Sequence, residues 1–190
     1  MIREVRLEDA ARLVEIYEYY VTSTAITFEY TTPSIQEFQS RIQHTLKQYP
    51  YIVYEHEGVV LGYGYVGALK GRAAYDWSVE TSIYVDHHAK KMGIGRKIYE
   101  ALEELCAKMH ITNMYACISA PRDDHDPYLD TNSMDFHEHM GYKEIARFHQ
   151  CGYKFQRWYD MVWYEKIIGE HSVPMPALLS YQEIKKGDKC

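Results

Sequence analysis

The chain has no Cys-x-x-Cys pair, and its four cysteines (Cys106, Cys117, Cys151, Cys190) fall at no metal-ligand spacing. That excludes a zinc ribbon or a disulfide framework and leads to the expectation of free thiols in the reducing cytoplasm. No stretch approaches the roughly 20 apolar residues that span a bilayer, and "MIREVRLEDA" lacks the apolar centre of a signal peptide. A basic excess is missing too: 21 Lys+Arg stand against 27 Asp+Glu, a net charge of −6, which argues against nucleic-acid and anionic-membrane partners. Phenylalanine is scarce, 5 against 19 Tyr. Buried tyrosines need partners for their hydroxyls, so some of these rings are expected to line a polar pocket or an interface. What is present, 46% apolar and 25% charged residues in a chain of 190, suits one domain with a full hydrophobic core.

The hydrophobic pattern divides the chain into short elements. "IREV" reads as a strand, and Leu13, Ile16, Tyr17, Tyr20 and Val21 share one helix face. Ser34 and Glu37 form a capping-box pattern before Ile35, Phe38, Ile42 and Leu46, with Pro50 as the stop. "YIVYEHEGVVLGYGYVG" predicts a hairpin turning at Glu57-Gly58, with Gly62 and Gly64 marking a bulge or a close approach. In "YDWSVETSIYV", Trp77, Val79, Thr81, Ile83 and Val85 alternate with a more polar face carrying Ser78, Glu80, Ser82 and Tyr84. Ile94, Ile98, Leu102, Leu105 and Met109 predict another helix, "NMYACISA" a strand, and "SMDFHEHMGY" a short helix ended by Gly141. "KEIARFHQ" and "YDMVWYEKII" close the pattern as antiparallel strands across "CGYKFQRW". The order β-α-α-β-β-β-α-β-α-β-β implies a mixed sheet with helices on both faces, and residues from Ser172 onward read as a tail outside the core.

The loop "YVDHHAKKMGIGRKIYEALEEL" carries a Gly-x-Gly at a helix entrance. It lacks the Gly-Lys-Ser/Thr of a Walker A loop and the third glycine of a dinucleotide fingerprint, so both nucleotide readings fail. A basic turn (Lys90, Lys91) followed by Gly93-Ile94-Gly95-Arg96 suits a pyrophosphate held without a metal, through unmet N–H groups at the helix start.

This loop resembles the acyl-coenzyme A loop of the GNAT N-acetyltransferases, Q/R-x-x-G-x-G/A, with Lys90 in the first position and Gly93 and Gly95 as the glycines. "AAYDWSVETSIYV", "FHEHMGY", "CGYKFQRWYDMVWYEK" and "TAITFEYTTPS" are similar to the phosphinothricin and methionine sulfoximine/sulfone branch of that family. The resemblance implies an α/β (α+β) fold: a mixed, mostly antiparallel sheet, helices on both faces, and a splayed strand pair that binds acetyl-CoA. It spans residues 1–170, with 171–190 as a C-terminal extension, and implies a homodimer.

The site implied by the resemblance has Glu80 as general base and His137 near the acyl group, protonating the leaving thiolate or orienting the amine. The coenzyme falls to the backbone of Ile83, Tyr84 and Val85, to Lys90, Lys91, Met92, Gly93, Ile94, Gly95 and Arg96, and to Asn132 and Ser133. Asp130 occupies the family's usual Asn slot, and Asn132 lies two positions on. Phe28, Arg72, Tyr75 and Tyr153 are the expected acceptor contacts, with Lys70, Glu29, Lys154 and Trp158 beside them. The acidic loop "PRDDHDPYLDT" has neither the glycine nor the closing glutamate of a calcium loop, so no metal is expected. It does leave a polyamine, an antibiotic amine or a protein N-terminus open as the acceptor. A coenzyme A sensor without turnover is the non-enzymatic alternative.

Overall fold

The computed structural model describes residues 1–89, 92–123 and 125–187. Its strands are β1 (Ile2–Glu4), β2 (Tyr51–His56), β3 (Val59–Ala68), β4 (Ser78–Val85), β5 (Asn113–Ala120), β6 (Lys143–Lys154) and β7 (Arg157–Ile167). The helices are α1 (Ala10–Ser23), α2 (Ile35–Leu46), α3 (Ile94–Lys108), α4 (Asn132–His139) and α5 (Tyr181–Gly187). Through β7 the order is the one read from the hydrophobic pattern.

Local chemistry sets the element ends. Ser34 caps α2 by accepting the Glu37 N–H at 3.1 Å, but the Glu37 carboxylate turns to Arg41 (2.6 Å) instead of closing a capping box. Glu57 (φ 50°) and Gly58 (φ 78°) make the left-handed two-residue turn that suits the twist of the β2–β3 hairpin. The β6–β7 hairpin departs from expectation. Its strands run on through the "CGYKFQRW" segment to a two-residue turn at Phe155 and Gln156 (φ 50° and 58°), with a bulge between Phe148 and Gly152 taking up the mismatch.

The seven strands form one sheet in the order β1-β2-β3-β4-β5-β7-β6, and β4–β5 is its parallel pair. Helices α1 and α2 cover one face over Val5, Leu13, Phe38, Ile42, Tyr51 and Tyr63. Helix α3 covers the other over Val66, Val79, Ile98, Leu102, Met114 and Val162. Two glycines of β3 serve close approach: a Cβ on Gly64 would lie 2.6 Å from Ile98, and one on Gly62 3.0 Å from Ile94. Their absence of side chains lets α3 press onto the sheet.

The expectation of a tail outside the core is corrected. Tyr181 and Ile184 of α5 are buried in the α3-side core, with Leu178 and Leu179 packed beside them. The Leu179 N–H donates to the Met109 carbonyl (3.1 Å), the Tyr181 N–H to that of Gln48 (2.8 Å), and Lys185 pairs with Glu4. Prolines and lysines made the segment look solvated, yet its sparse apolar residues cover α3-side surface left open by the sheet. Among the described residues no helix is long and apolar enough to cross a membrane.

Candidate active site

Strands β4 and β5 pair only at Ser78↔Asn113, Val79↔Met114 and Glu80↔Tyr115. Beyond Glu80 they part: β4 continues along β3 to Val85, and β5 along β7 to Ala120. The Asp86 N–H donates to Leu61 (2.9 Å) and the Leu69 N–H to Ser78 (3.3 Å). Alternation then turns the backbone groups of Glu80, Ser82 and Tyr84 toward β3, and those of Thr81, Ile83 and Val85 into the gap. The fork therefore exposes a short run of strand edge with Glu80 at its apex.

In this geometry two of the three strand positions expected to meet the coenzyme have their backbone groups engaged elsewhere. Tyr84 faces β3 with its backbone and puts its ring among Tyr17, Tyr20 and Tyr63 on the α1 side. At Val85 the hydroxyl of Tyr20 donates to the carbonyl and accepts from the N–H. Ile83 is left as the strand position of the expected three with backbone groups open to the gap.

A cleft of about 810 Å³ continues from the fork, lined by Ile83, Val85, Met92, Gly93, Ile94, Gly95, Arg96, Asn132 and Ser133 together with His137. Gly93 caps α3 in the left-handed region (φ 68°), where a side chain would be strained. A Cβ on Gly95 would come within 3.1 Å of the Phe136 ring, so this glycine lets α4 close over the first turn of α3. Ile94, 2% exposed, anchors that turn in the core. The first N–H groups of α3 have no intrahelical acceptors and meet the cleft with the positive end of the helix dipole, beside Arg96. Lys90 and Lys91 lie outside the described residues. The donor set and the glycine cradle fit a pyrophosphate followed by an extended amide-bearing arm, as coenzyme A would present.

His137, expected either to protonate the thiolate or to orient the amine, has both ring nitrogens engaged within the protein. The ring is buried, and its Nδ1 lies 2.6 Å from the Ser133 carbonyl, which can only accept. Nδ1 therefore carries the proton, and Nε2 accepts from the Tyr99 hydroxyl at 2.5 Å. Burial pushes its pKa down to about 4, so near neutral pH the ring is uncharged and its single proton is committed. Its work is positional: it ties the first turn of α4 to α3 at the cleft wall. Asn132 is likewise tethered, donating side-chain and backbone N–H groups to Asp130.

On the opposite face of β4, Glu80 is half-buried and its pKa is raised, by burial first, against the opposing pull of Lys70. Its carboxylate and burial together push the Cys117 thiol up to about 12, burial being the larger cause. Lys70 sits over the Trp163 ring at 5.9 Å.

The four expected acceptor contacts do not gather around one cavity. The Phe28 ring packs on Gly152, where a Cβ would lie 2.3 Å from it. Arg72 is exposed and Tyr75 is 42% exposed, both on the β3–β4 connection. Tyr153 is 45% exposed and packs its ring on Trp158 at 4.9 Å. Lys154, by contrast, is buried, with Nζ donating to the carbonyls of Thr24 (2.8 Å) and Thr27 (2.7 Å), and burial lowers its pKa to about 8. It pins the hairpin to the α1–α2 connection.

Sequence reasoning missed several cleft residues. Tyr19 and His87 stack at 4.0 Å and both line the cleft with Tyr20. His139, two residues past His137 on α4, lines it too. The acidic loop supplies a wall: Asp126 accepts from Tyr159 and Arg157, and the Tyr128 carbonyl accepts the Ala25 N–H. Asp86, His87 and His88 bring ligand atoms within 4.8 Å of one another, but the Asp86 carboxylate is already engaged by Arg12 and the His88 N–H. The "YEYY" run was the available signal for the aromatic wall, though nothing in it specifies a ligand.

Comparison with known proteins agrees with this geometry. Residues 2–163 match the family model described as an acetyltransferase (GNAT) domain. A phosphinothricin N-acetyltransferase of Streptomyces viridochromogenes is 29% identical over 176 residues, covering 93% of this chain and 92% of that protein. An L-methionine sulfoximine/L-methionine sulfone acetyltransferase of Salmonella typhimurium is 28% identical, covering 91% and 97% respectively. The crystal structure of a GNAT phosphinothricin acetyltransferase from Sinorhizobium meliloti with acetyl-CoA superposes with a TM-score of 0.83 at 29% identity, covering 95% of each chain.

Proposed function

The chain belongs to the GNAT acetyltransferase family and is an acetyl-CoA-dependent N-acetyltransferase, and from that premise we propose that its acceptor is the α-amino group of a small amino-acid-like molecule of the phosphinothricin or methionine sulfoximine type. The observation that carries the reading is the position of Glu80 at the apex of the fork, where the open edge of β4 begins. Acetyl-CoA supplies an activated thioester. The chain's own residues do the rest: the first turn of α3 binds the pyrophosphate, Ile83 pairs the arm, and Glu80 takes a proton from the acceptor's ammonium so that the neutral amine attacks the thioester carbonyl. The C–S bond breaks and coenzyme A leaves as the thiolate, which takes up the proton shed by the new amide nitrogen. The raised pKa of Glu80 brings it nearer that of its task, as a general base requires. A strand-edge N–H aimed at the thioester oxygen would stabilise the charge developing there, an effect usually worth several kcal/mol.

The polyamine alternative loses support because the acidic loop spends Asp126 on Arg157 and Tyr159 and Asp130 on Asn132. The reading extends to a homodimer, supported by the exposed Ile145, Phe148, Tyr153 and Trp158 of the β6–β7 hairpin.

Thiol release from acetyl-CoA tests it, with phosphinothricin, methionine sulfoximine, methionine sulfone, spermidine and a peptide as acceptors. Amino-acid acceptors should turn over, and Glu80→Gln should lower kcat by about 10²–10⁴-fold while acetyl-CoA still binds. The carboxylate is lost as pH falls through its raised pKa, so the acid limb of kcat/KM should sit above the ordinary glutamate range. Turnover confined to spermidine or the peptide would overturn the acceptor class.

A further inference from the structure

Helix α1 ends without a cation of its own: its last turn carries no basic residue, and Thr24 leaves the helix in extended backbone (φ −136°). The final carbonyls, at the negative end of the helix dipole, still call for donors. The donor comes from 130 residues away. Lys154, 2% exposed near the tip of the β6–β7 hairpin, donates through Nζ to the carbonyls of Tyr20 (3.5 Å), Thr24 (2.8 Å) and Thr27 (2.7 Å). Three N–H donors meet three carbonyls, which is what makes burial of an ammonium tolerable. The hairpin tip adds two ties to the same region. Phe155 stacks on Tyr128 at 4.1 Å, and the Tyr30 hydroxyl donates to the Tyr153 carbonyl.

What Lys154 holds is a wall of the coenzyme cleft. Tyr20, Ser23, Thr24 and Ile26 line the cleft from the end of α1, and Tyr128 lines it from the acidic loop. Tyr20 also engages both backbone groups of Val85, which ends the open edge of β4 just beyond Ile83. In the other direction, Thr27 meets the Tyr17 hydroxyl (2.8 Å) and Glu29 pairs with Arg41 of α2 (2.8 Å). The connection that Lys154 grips therefore runs from the coenzyme cleft to the face of the sheet that carries Glu80.

We propose that Lys154 is a positioning residue for acetyl transfer: touching neither substrate, it fixes the α1–α2 connection so that the thioester at the strand edge and the amine at Glu80 meet in register. This rests on the proposed attack beside Glu80, and not on the class of the amine. Charge is part of the device, since the ammonium supplies three donors whereas the neutral amine supplies two and turns a lone pair on the third carbonyl. Burial lowers the Lys154 pKa to about 8, against the opposing pull of Glu29. On the elements packed against it, burial raises the phenols of Tyr17 and Tyr159 to about 12 and that of Tyr20 as well, and Asp126 pairs with Arg157 (3.3 Å).

The test compares wild type with Lys154→Met, using the acceptor that wild type turns over fastest among the amino acids, spermidine and the peptide. Wild-type kcat should fall as pH rises through about 8. Lys154→Met should lose about 10–10²-fold in kcat at neutral pH and show no such alkaline limb. Its Kd for acetyl-CoA, by calorimetry, should stay near that of wild type, because the first turn of α3 is untouched. Glu29→Gln covers the case of a Lys154 variant that does not fold: removing the pull on the ammonium should move the limb to lower pH. Wild type without the limb, a limb that survives in Lys154→Met, or one that stays in place in Glu29→Gln overturns the proposal. So does a loss of kcat matched by an equal loss of acetyl-CoA affinity, as a lysine serving stability alone would give. A wild type that prefers spermidine or the peptide overturns the acceptor class of the proposed function and leaves these readouts to decide on Lys154.

Discussion

The two faces of β4 are built in opposite ways. Toward α3 and α4 the site is made of backbone: the open edge at Thr81 and Ile83, the left-handed Gly93, and the first N–H groups of α3. Toward α1 and α2, the face that carries Glu80, lies a cavity walled by side chains from five elements: Tyr17 from α1, Arg41 from α2, Tyr51 from β2, Tyr63 and Tyr65 from β3 and Tyr84 from β4. A backbone site binds what all acyl-coenzyme A molecules share, because N–H groups and helix dipoles read phosphates and amides alone. A side-chain site is where substrates can be told apart.

The sharpest break between the faces is expected from Gly93→Val/Gly95→Val. The first change strains a left-handed position, and the second drives a side chain into Phe136. Each should cost about 1–3 kcal/mol. Calorimetric titration should show the acetyl-CoA Kd raised by about 100-fold or more, with the preference among acceptors unchanged. A change of acceptor preference would mean that the faces are not independent.

His137 gives the next effect. Its folded pKa of about 4 lies below the ordinary 6.5, so the unfolded chain binds more protons between those values. Its contribution to stability is complete above pH 6.5 and is lost as pH falls toward 4, up to about 3 kcal/mol in all. Urea unfolding across that range should show a weaker pH dependence in His137→Gln than in wild type. Equal slopes would mean that the ring is charged in the fold. A kcat/KM limb near pH 6.5 that disappears in the variant would restore His137 as an acid.

The smallest effect tests a region belonging to neither face. Ile184 is 8% exposed in the α3-side core, and Ile184→Ala should destabilise by about 2 kcal/mol without altering KM for either substrate. Stability within experimental error of wild type would return the C-terminal segment to the status of a tail.

Much of this was legible before the structure. The helix face of Leu13, Ile16 and Tyr17, the turn at Glu57-Gly58, the Ser34 cap and the glycine loop all depend on residues within one or two turns of one another, where spacing alone carries the information. The α5 contacts were not legible, because a segment with two prolines and few apolar residues gives no periodic signal. Nor was the fate of His137: the partners that fix its proton, Tyr99 and the Ser133 carbonyl, include a residue 38 positions away on another helix.

The sequence by itself determined the order of elements, the glycine-marked start of α3 and the placement of Glu80 on a polar strand face. Those are local consequences of side-chain size, φ preference and alternation. Tertiary structure alone decided where β4 and β5 part, which carbonyls the Lys154 ammonium meets, and that His137 is held neutral. Strand register, burial and hydrogen-bond partnership are properties of residues far apart in the chain, and they acquire values only when the chain has closed on itself.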